Sequence, residues 1–281
     1  MPSPHEFIRR APQTLAGWVA LFDPASLPVL AGTAMALEEL RPAEDSVDAH
    51  LLAEAIASDP LMTLKLLAHL ARLRRGRGGS DTETVTEALV MLGIPPFFRA
   101  FGPQTAAEDV LACEPDALAG FHDVLRRSHR AARFALGFAV HRMDHDASVI
   151  HEAALLHDFA ELLLWLRAPA LALEIARRQQ SAPDLRSATA QRECLHIELS
   201  ELQQALMAAW HLPATLAHIT DGNARLETLQ QRNVRLAIRV ARHSAQDWDN
   251  PALPDDVADI GQLLQLGPEP TKRLLREIDA D

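Results

Sequence analysis

The stretch LLHDFAELLLW, residues 155–165, carries an adjacent His157-Asp158 pair and then Glu161 within an otherwise apolar run. In an α-helix, which turns by about 100° per residue, these polar side chains and the earlier His151 would share one stripe. Leucine and phenylalanine fill the rest of the circumference, so this helix is predicted to be buried. Buried charge needs partners, so the pair is predicted either to help hold a divalent metal or to hydrogen-bond to a neighbouring helix.

The composition predicts a globular, acidic protein. The chain has 281 residues, of which 48% are apolar and 23% charged, enough for one large hydrophobic core or two small ones. Acidic residues outnumber basic ones by 38 to 27, which gives a formal net charge of −11. An acidic surface repels phosphate backbones, so general nucleic-acid binding is not expected, whereas a local basic pocket for a small anion stays open.

Cysteine usage and hydropathy predict a cytoplasmic protein without a membrane span. Cys113 and Cys194 form no CxxC pair, which argues against a thiolate zinc site or a disulfide framework. The N-terminus lacks the apolar core of a signal peptide. The most apolar stretch, residues 153–176, is interrupted by charged residues and by Pro169, so it is not predicted to cross a membrane.

The hydrophobic periodicity is helical almost throughout and predicts an all-α fold. Asp59 followed by Pro60 is a typical helix start, and Thr84 with Glu87 fits a capping box. Ser46 is predicted to cap the helix over VDAHLLAEAIA in the same way. The segment at 5–22 is apolar enough to dock, either on its own domain or on a second copy, which would make a homodimer.

Two segments are predicted to connect helices. Residues 74–79, RRGRGG, form a basic glycine-rich turn that lacks the strand, lysine and hydroxyl residue of a phosphate-binding loop. A flexible connector is therefore favoured, while Arg74, Arg75 and Arg77 stay candidates for contacting a ligand or a partner. The second connector, residues 102–115, is rich in small and polar residues and predicts a boundary between two helical lobes.

Several segments of the chain together resemble the HDOD family, the non-enzymatic relatives of HD-domain phosphohydrolases. The resemblance extends from about residue 26 to residue 245. Its segments are IASDPLMTLKLLAHLA at 56–71, TVTEALVMLG at 84–93, EAALLHDFAEL at 152–162 and WHLP at 210–213. It implies two lobes, an N-terminal helical lobe over 1–112 and an HD-like helical bundle over 113–281. It also implies a regulatory role in bacterial signal transduction.

The sequence departs from the enzymatic HD pattern at positions that should bind metal. The register set by Ser128 and the alanines after it places Arg127 where the enzymes have their first histidine; His129 would fit only after a shift of two residues. The final aspartate of the pattern falls on Arg242. Arginine stays protonated and cannot coordinate a cation. The resemblance therefore implies a pseudoenzyme without a metal cofactor.

A specific hypothesis follows for the two arginines. Arg127, Arg242 or both could replace the missing cation by donating to Asp158 and Glu161, because an Arg–carboxylate fork can join helices as a metal would. The alternative is that both arginines simply reach solvent, as arginines on amphipathic helices usually do. Trp210 has two interpretations as well, a platform for a ligand or, more often in proteins, a wedge between helices.

The leading functional prediction is a non-catalytic regulatory module that binds a signalling protein partner or a small molecule. The alternative is a metal-dependent phosphohydrolase acting on a nucleotide or a cyclic dinucleotide. In that case His157, Asp158 and His196 would hold Fe, Mn or Zn, and Glu161 would assist a bound water. A third prediction, an interaction scaffold without ligand switching, expects no ligand-induced change in stability.

Overall fold

A computed structural model describes residues 6–75, 82–182, 184–222 and 227–280. Over these ranges the chain is helical, with no strand beyond a single parallel bridge between Val29 and Ala106. The helices are α1 (Leu15–Val19), α2 (Ala31–Leu40), α3 (Ala49–Ile56), α4 (Pro60–Arg74), α5 (Val85–Leu92), α6 (Ile94–Ala100), α7 (Ala107–Val110), α8 (Pro115–His141), α9 (Ala147–Leu155), α10 (Phe159–Arg167), α11 (Pro169–Ser181), α12 (Ser187–Leu195), α13 (Leu199–Ala209), α14 (Ala214–Ile219), α15 (Leu229–His243), α16 (Leu253–Leu264) and α17 (Pro268–Ala280), with 3₁₀ helices at Pro24–Ser26 and Arg41–Ala43. The all-α prediction is confirmed.

The chain divides into two compact units, each built from two separate segments. Unit 1 comprises Met1–Asp123 and Asp158–Ala214, and unit 2 comprises Val124–His157 and Thr215–Asp281. The chain passes from one unit to the other within α8, again between His157 and Asp158, and a third time between Ala214 and Thr215 in α14. A division into lobes at residue 112 stays a prediction. Across the described ranges, no helix combines the length and the apolar content that a membrane span requires.

Local sequence explains where the helices of the N-terminal region begin. The Asp59 carboxylate accepts from the backbone N–H groups of Leu61 and Met62, which caps α4 as predicted. The predicted capping box of Thr84 and Glu87 opens α5. Gly93, with φ of 82°, ends it.

The prediction that Ser46 caps α3 is wrong. The cap is Asp48, whose Oδ1 accepts from Leu51 N at 2.8 Å. Ser46 instead donates from its hydroxyl to Ala43 O at 3.0 Å in the preceding turn. Serine and aspartate both favour caps and turns. Asp48 directly precedes the first helical residue, so its carboxylate reaches the N–H group of Leu51 in the first turn of α3.

The prediction of one continuous helix through the His157-Asp158 pair is also wrong. α9 ends at Leu155, and α10 begins at Phe159. The intervening turn is tightened by a bond from His157 N to Ala154 O, three residues back, at 3.3 Å. The shared polar stripe drawn through His151 and Glu161 therefore does not apply, because the two residues lie on different helices. The predicted burial of the apolar part is confirmed, since α10 from Phe159 to Leu166 is buried except at Glu161.

The core of unit 1 forms where α10, α11, α12 and α13 pack together and α1 covers α13. Trp18 of α1 is fully buried, and its indole Nε1 donates to Leu195 O at 2.9 Å. The N-terminal segment thus packs on its own unit, one of the two predicted alternatives. Gly120 of α8 shows how tight this core is, because a Cβ there would lie 2.4 Å from the Trp165 ring.

Unit 2 is held together by α15, which contacts both α9 and α16. Asp256 of α16 is fully buried and pairs with Arg239 and His243, both on α15. Arg130 of α8 donates to Asp279 at 2.8 Å and to Ala241 O at 3.0 Å. These charge-assisted bonds join α8, α15, α16 and α17 within the unit.

Candidate functional site

One face of α4 in unit 1 carries a row of basic side chains. Lys65, His69 and Arg72 are spaced four and three residues apart, so they project from the same side of the helix. Lys65 is only 6% exposed, whereas His69 is half-buried and Arg72 is exposed. The row therefore runs from a buried ammonium towards a solvent-exposed guanidinium.

Lys65 is held by oxygen acceptors at the buried end of the row. Its Nζ donates to Leu27 O at 2.6 Å and to the side-chain oxygen of Gln104. Gln104 is oriented for this role because its amide nitrogen donates to Gly102 O. Burial lowers the pKa of Lys65 to about 8, and the charges of Asp59 and Asp23 oppose this shift.

Asp59 precedes the first residue of α4 and is fully buried. It is 0% exposed, and its Oδ2 accepts from Leu30 N at 2.7 Å in addition to capping α4. Burial raises the pKa of Asp59, while the backbone N–H donors of Leu30, Met62 and Leu61 oppose the shift.

Two arginine–imidazole contacts lie at the exposed end of the row. Nη2 of Arg72 lies 3.4 Å from Nδ1 of His69, and Nη2 of Arg75 lies 2.8 Å from Nε2 of His211. Because a guanidinium only donates, the imidazole nitrogen accepts in both contacts. Burial lowers the pKa of His69, and the charge of Arg72 adds to this shift.

These side chains line a cavity of about 370 Å³, called the α4 cavity below. Its polar lining is formed by Lys65, His69, Arg72, Arg75, Gln104, His211 and Asp23. Phe101 and Trp210 supply aromatic surface at its wall. Trp210 also lies with its ring centroid 5.9 Å from that of Phe159, so it serves both as a wedge against α10 and as part of the cavity wall.

The three arginines predicted to contact a ligand or partner have different positions. Arg75 lines the α4 cavity. Arg74 donates towards Thr82 Oγ1 at 3.3 Å and Met91 Sδ at 3.4 Å. Arg77 lies outside the described residues. Sequence reasoning missed Lys65 and His211, and the only signal for Lys65 was its four-residue spacing from His69 behind the Asp59-Pro60 cap.

The HD pair lies at the break between α9 and α10. Asp158 is buried, and His157 is half-buried and lines a smaller cavity of unit 2, of about 80 Å³, with Asp221 and Glu227. His196 is exposed and ends α12 in the left-handed conformation, with φ of 63°.

The remaining predicted residues of the HD region lie on three helices. Glu161 on α10 and Arg127 on α8 are half-buried, and Arg242 on α15 is exposed. Their predicted pairing through Arg–carboxylate forks stays a prediction. Burial lowers the pKa of His151, and the charge of His129, the alternative first histidine, lowers it further.

The resemblance to HD-domain enzymes implies a metal site, which needs several coordinating side chains close together. Among residues 6–75, 82–182, 184–222 and 227–280, no three side chains of His, Cys, Asp or Glu are grouped as a metal site requires. A catalytic site typically uses at least three protein ligands. The described donor set therefore does not fit a resident metal.

The helical fold and the HD pair between α9 and α10 define an all-α protein of the HD-like class. The family model of the HDOD domain matches residues 27–224, so the chain belongs to the HDOD family. The resemblance seen in the sequence is thereby confirmed. No curated protein matches the chain.

Two solved structures show the same fold. The MmoQ response regulator from Methylococcus capsulatus str. Bath is 21% identical, with a TM-score of 0.64 over 89% of this chain and 97% of that one. A virulence factor from Campylobacter jejuni subsp. jejuni is 17% identical, with a TM-score of 0.61 over 85% of this chain and 84% of that one. At these identities the likeness concerns the fold.

Proposed function

We propose that this HDOD protein is a non-catalytic regulatory module of bacterial signal transduction that works in the cytoplasm. It acts by binding a small ligand or a signalling protein partner and by responding to the bound molecule. Family membership supports a signalling role, and the similar fold from Methylococcus capsulatus belongs to a response regulator. The observation that carries the proposal is the α4 cavity, where an acidic chain concentrates cationic side chains around a pocket that opens to solvent.

The side chains at the family's metal positions support a role without catalysis. Arg127 and Arg242 stand where the resemblance places a histidine and an aspartate. Their guanidinium groups are permanent cations that cannot coordinate a metal and would repel one. The lining of the α4 cavity, by contrast, includes three cationic donors, Lys65, Arg72 and Arg75, which suit the holding of an anion.

The second candidate function is a metal-dependent phosphohydrolase, favoured by the retention of His157, Asp158 and His196. These residues would be the ligands of an Fe, Mn or Zn ion, whose chemistry is the activation of a water molecule. The described residues form no three-ligand cluster, so no reaction step is derived for this candidate.

The two candidates are separated by metal content and hydrolysis. After incubation with Fe(II), Mn(II) or Zn(II) and desalting, we expect less than one bound ion per chain by mass spectrometry. We also expect the hydrolysis of bis(p-nitrophenyl) phosphate and of a cyclic dinucleotide to be the same for the unchanged chain and for Asp158→Asn, which keeps the shape of the side chain. One ion per chain, together with hydrolysis that Asp158→Asn abolishes, would establish the enzyme instead.

A further inference from the structure

We infer that the α4 cavity binds a small phosphate monoester whose organic body carries a hydrogen-bond acceptor. The phosphate lies at the exposed end against Arg72 and Arg75, and the acceptor meets Lys65 at the buried end. This inference rests on the proposed function, because a regulatory module that responds to a small molecule must have a site that binds it.

The exposed end of the cavity has the chemistry that a phosphate requires. Arg72 and Arg75 are permanent cations, and each guanidinium carries five N–H donors in a planar fork that matches phosphate oxygens. Among the described residues, each donates from its Nη2 to one imidazole, that of His69 or His211. Within that part of the chain, the Nε and Nη1 donors of both arginines are therefore available to an incoming anion.

The buried end has one directed donor. An ammonium has three N–H groups, and the hydrogen bonds of Lys65 to Leu27 O and to Gln104 account for two of them. The third can donate to a ligand that enters the cavity. A charge-assisted hydrogen bond at a position only 6% exposed is stronger than one in water.

The length of the row sets the size of the ligand. Seven residues separate Lys65 from Arg72, which corresponds to about 10 Å along the axis of α4. Inorganic phosphate is much shorter than this axial span, so a ligand with an organic body is better suited to contact both ends. The cavity of about 370 Å³ falls within the usual range of small-molecule sites, and Phe101 and Trp210 offer apolar surface for that body.

The charge balance of the lining favours an anion. Among the described residues of the lining, Lys65, Arg72 and Arg75 are opposed by one carboxylate, that of Asp23, and the buried Asp59 adds a second negative charge near Lys65. Asp23 is partly occupied, because its Oδ1 accepts from Ala25 N at 3.0 Å at the start of a 3₁₀ helix. In a chain with a net charge of −11, such a cluster attracts anionic ligands locally.

Calorimetry with four probes tests the inference: adenosine 5′-monophosphate, glucose 6-phosphate, inorganic phosphate and adenosine. We expect at least one of the two esters to bind at least tenfold more tightly than inorganic phosphate or adenosine. The double variant Arg72→Ala/Arg75→Ala should weaken that binding at least tenfold, because both phosphate contacts are lost. The matched control Arg9→Ala/Arg10→Ala removes two exposed arginines of the same unit outside the cavity and should leave the Kd within twofold.

Three results would overturn the inference. They are no binding of any probe at millimolar concentration, ester binding that survives in Arg72→Ala/Arg75→Ala, and inorganic phosphate that binds as tightly as the esters. Chromatography of the ester after incubation separates this inference from the proposed function. An ester that binds and is recovered intact supports both, whereas an ester that binds at the cavity and is hydrolysed contradicts only the proposed function.

Ester binding should also weaken as the pH rises from 7 to 9. The pKa of Lys65 is about 8, and a bound anion raises it, so binding is strongest where the lysine is already protonated and is lost at higher pH. The groups around the lysine are Asp23, Asp59, His69 and Arg72; the two carboxylates oppose its shift, while the lowered pKa of His69 keeps that ring neutral throughout.

Titrations at constant ionic strength measure this pH dependence. We expect the Kd of the tightest ester to increase by up to about tenfold between pH 7 and 9. The phosphate itself stays dianionic over this range, since its second pKa is about 6. Lys65→Met, checked by circular dichroism for an unchanged helix content, should give a flat profile; a profile as steep as that of the unchanged chain would exclude Lys65 as the source.

Discussion

Replacing Asp59 with alanine is expected to lower the free energy of unfolding by about 3 kcal/mol at pH 7. The side chain is 0% exposed, and its carboxylate accepts from three backbone N–H groups, those of Leu30, Leu61 and Met62. Alanine leaves these donors without an acceptor, and each buried unsatisfied donor costs about 1–3 kcal/mol. The burial that raises the pKa of Asp59 reduces the net loss, because the variant no longer has to desolvate a carboxylate.

Asp48→Ala is the matched control for this change. Asp48 also caps a helix with its carboxylate, but it is exposed, and among the described residues it accepts from one backbone donor, Leu51 N. Loss of an ordinary cap costs about 1 kcal/mol. Urea unfolding followed by circular dichroism measures both variants, and equal losses for Asp59→Ala and Asp48→Ala would contradict the role given to the Leu30 contact and to burial.

Two helix starts were predictable from local sequence, whereas the start of α3 was assigned to Ser46 instead of Asp48. Asp59 before Pro60, and Thr84 before Glu87, mark starts through contacts within three residues of the cap, so the sequence alone contains both partners. The second role of Asp59, accepting from Leu30, joins residues that are 29 positions apart. Only the folded chain brings such partners together, so no local pattern predicts it.

The break at the HD pair was not predictable from hydrophobic periodicity. Apolar residues continue on both sides of His157 and Asp158, and both α9 and α10 are buried over most of their length. In a helix that is apolar all round, a break changes which residues face the core without changing the pattern of apolar residues. A glycine or proline would have marked the break, and the pair contains neither.

The α4 cavity was predictable only in outline. An acidic composition left room for a local basic pocket, and Arg75 was a candidate for ligand contact. His211 has no carboxylate or cysteine at ligand spacing in the sequence, so no local pattern marks it as part of a site. Its partner, Arg75, is 136 positions away. The sequence did not mark Lys65 as part of a site, because a single lysine on an amphipathic helix usually reaches solvent.

The second large effect is expected from Trp18→Ala, with a loss of about 4 kcal/mol in the free energy of unfolding. Trp18 is fully buried in unit 1, where α1 covers α13, and its indole N–H donates to Leu195 O at the end of α12. Alanine removes the ring and leaves both a cavity and an unsatisfied carbonyl. Trp18→Phe keeps most of the apolar volume, so it should lose only about 1–2 kcal/mol, mainly from the missing hydrogen bond.

A residue-resolved readout shows whether the loss concerns the docking of the N-terminal segment. The amide of Ile8 donates to Arg167 O at 2.6 Å, so its hydrogen exchange is slow only while this segment lies on unit 1. Trp18→Ala should speed exchange at Ile8 far more than at amides within α15 of unit 2, and Trp18→Phe should have a smaller effect. If Ile8 stays protected in Trp18→Ala, the indole is not what holds the N-terminal segment on unit 1. The segment is then held by the backbone hydrogen bond of Ile8 and by the neighbouring apolar contacts.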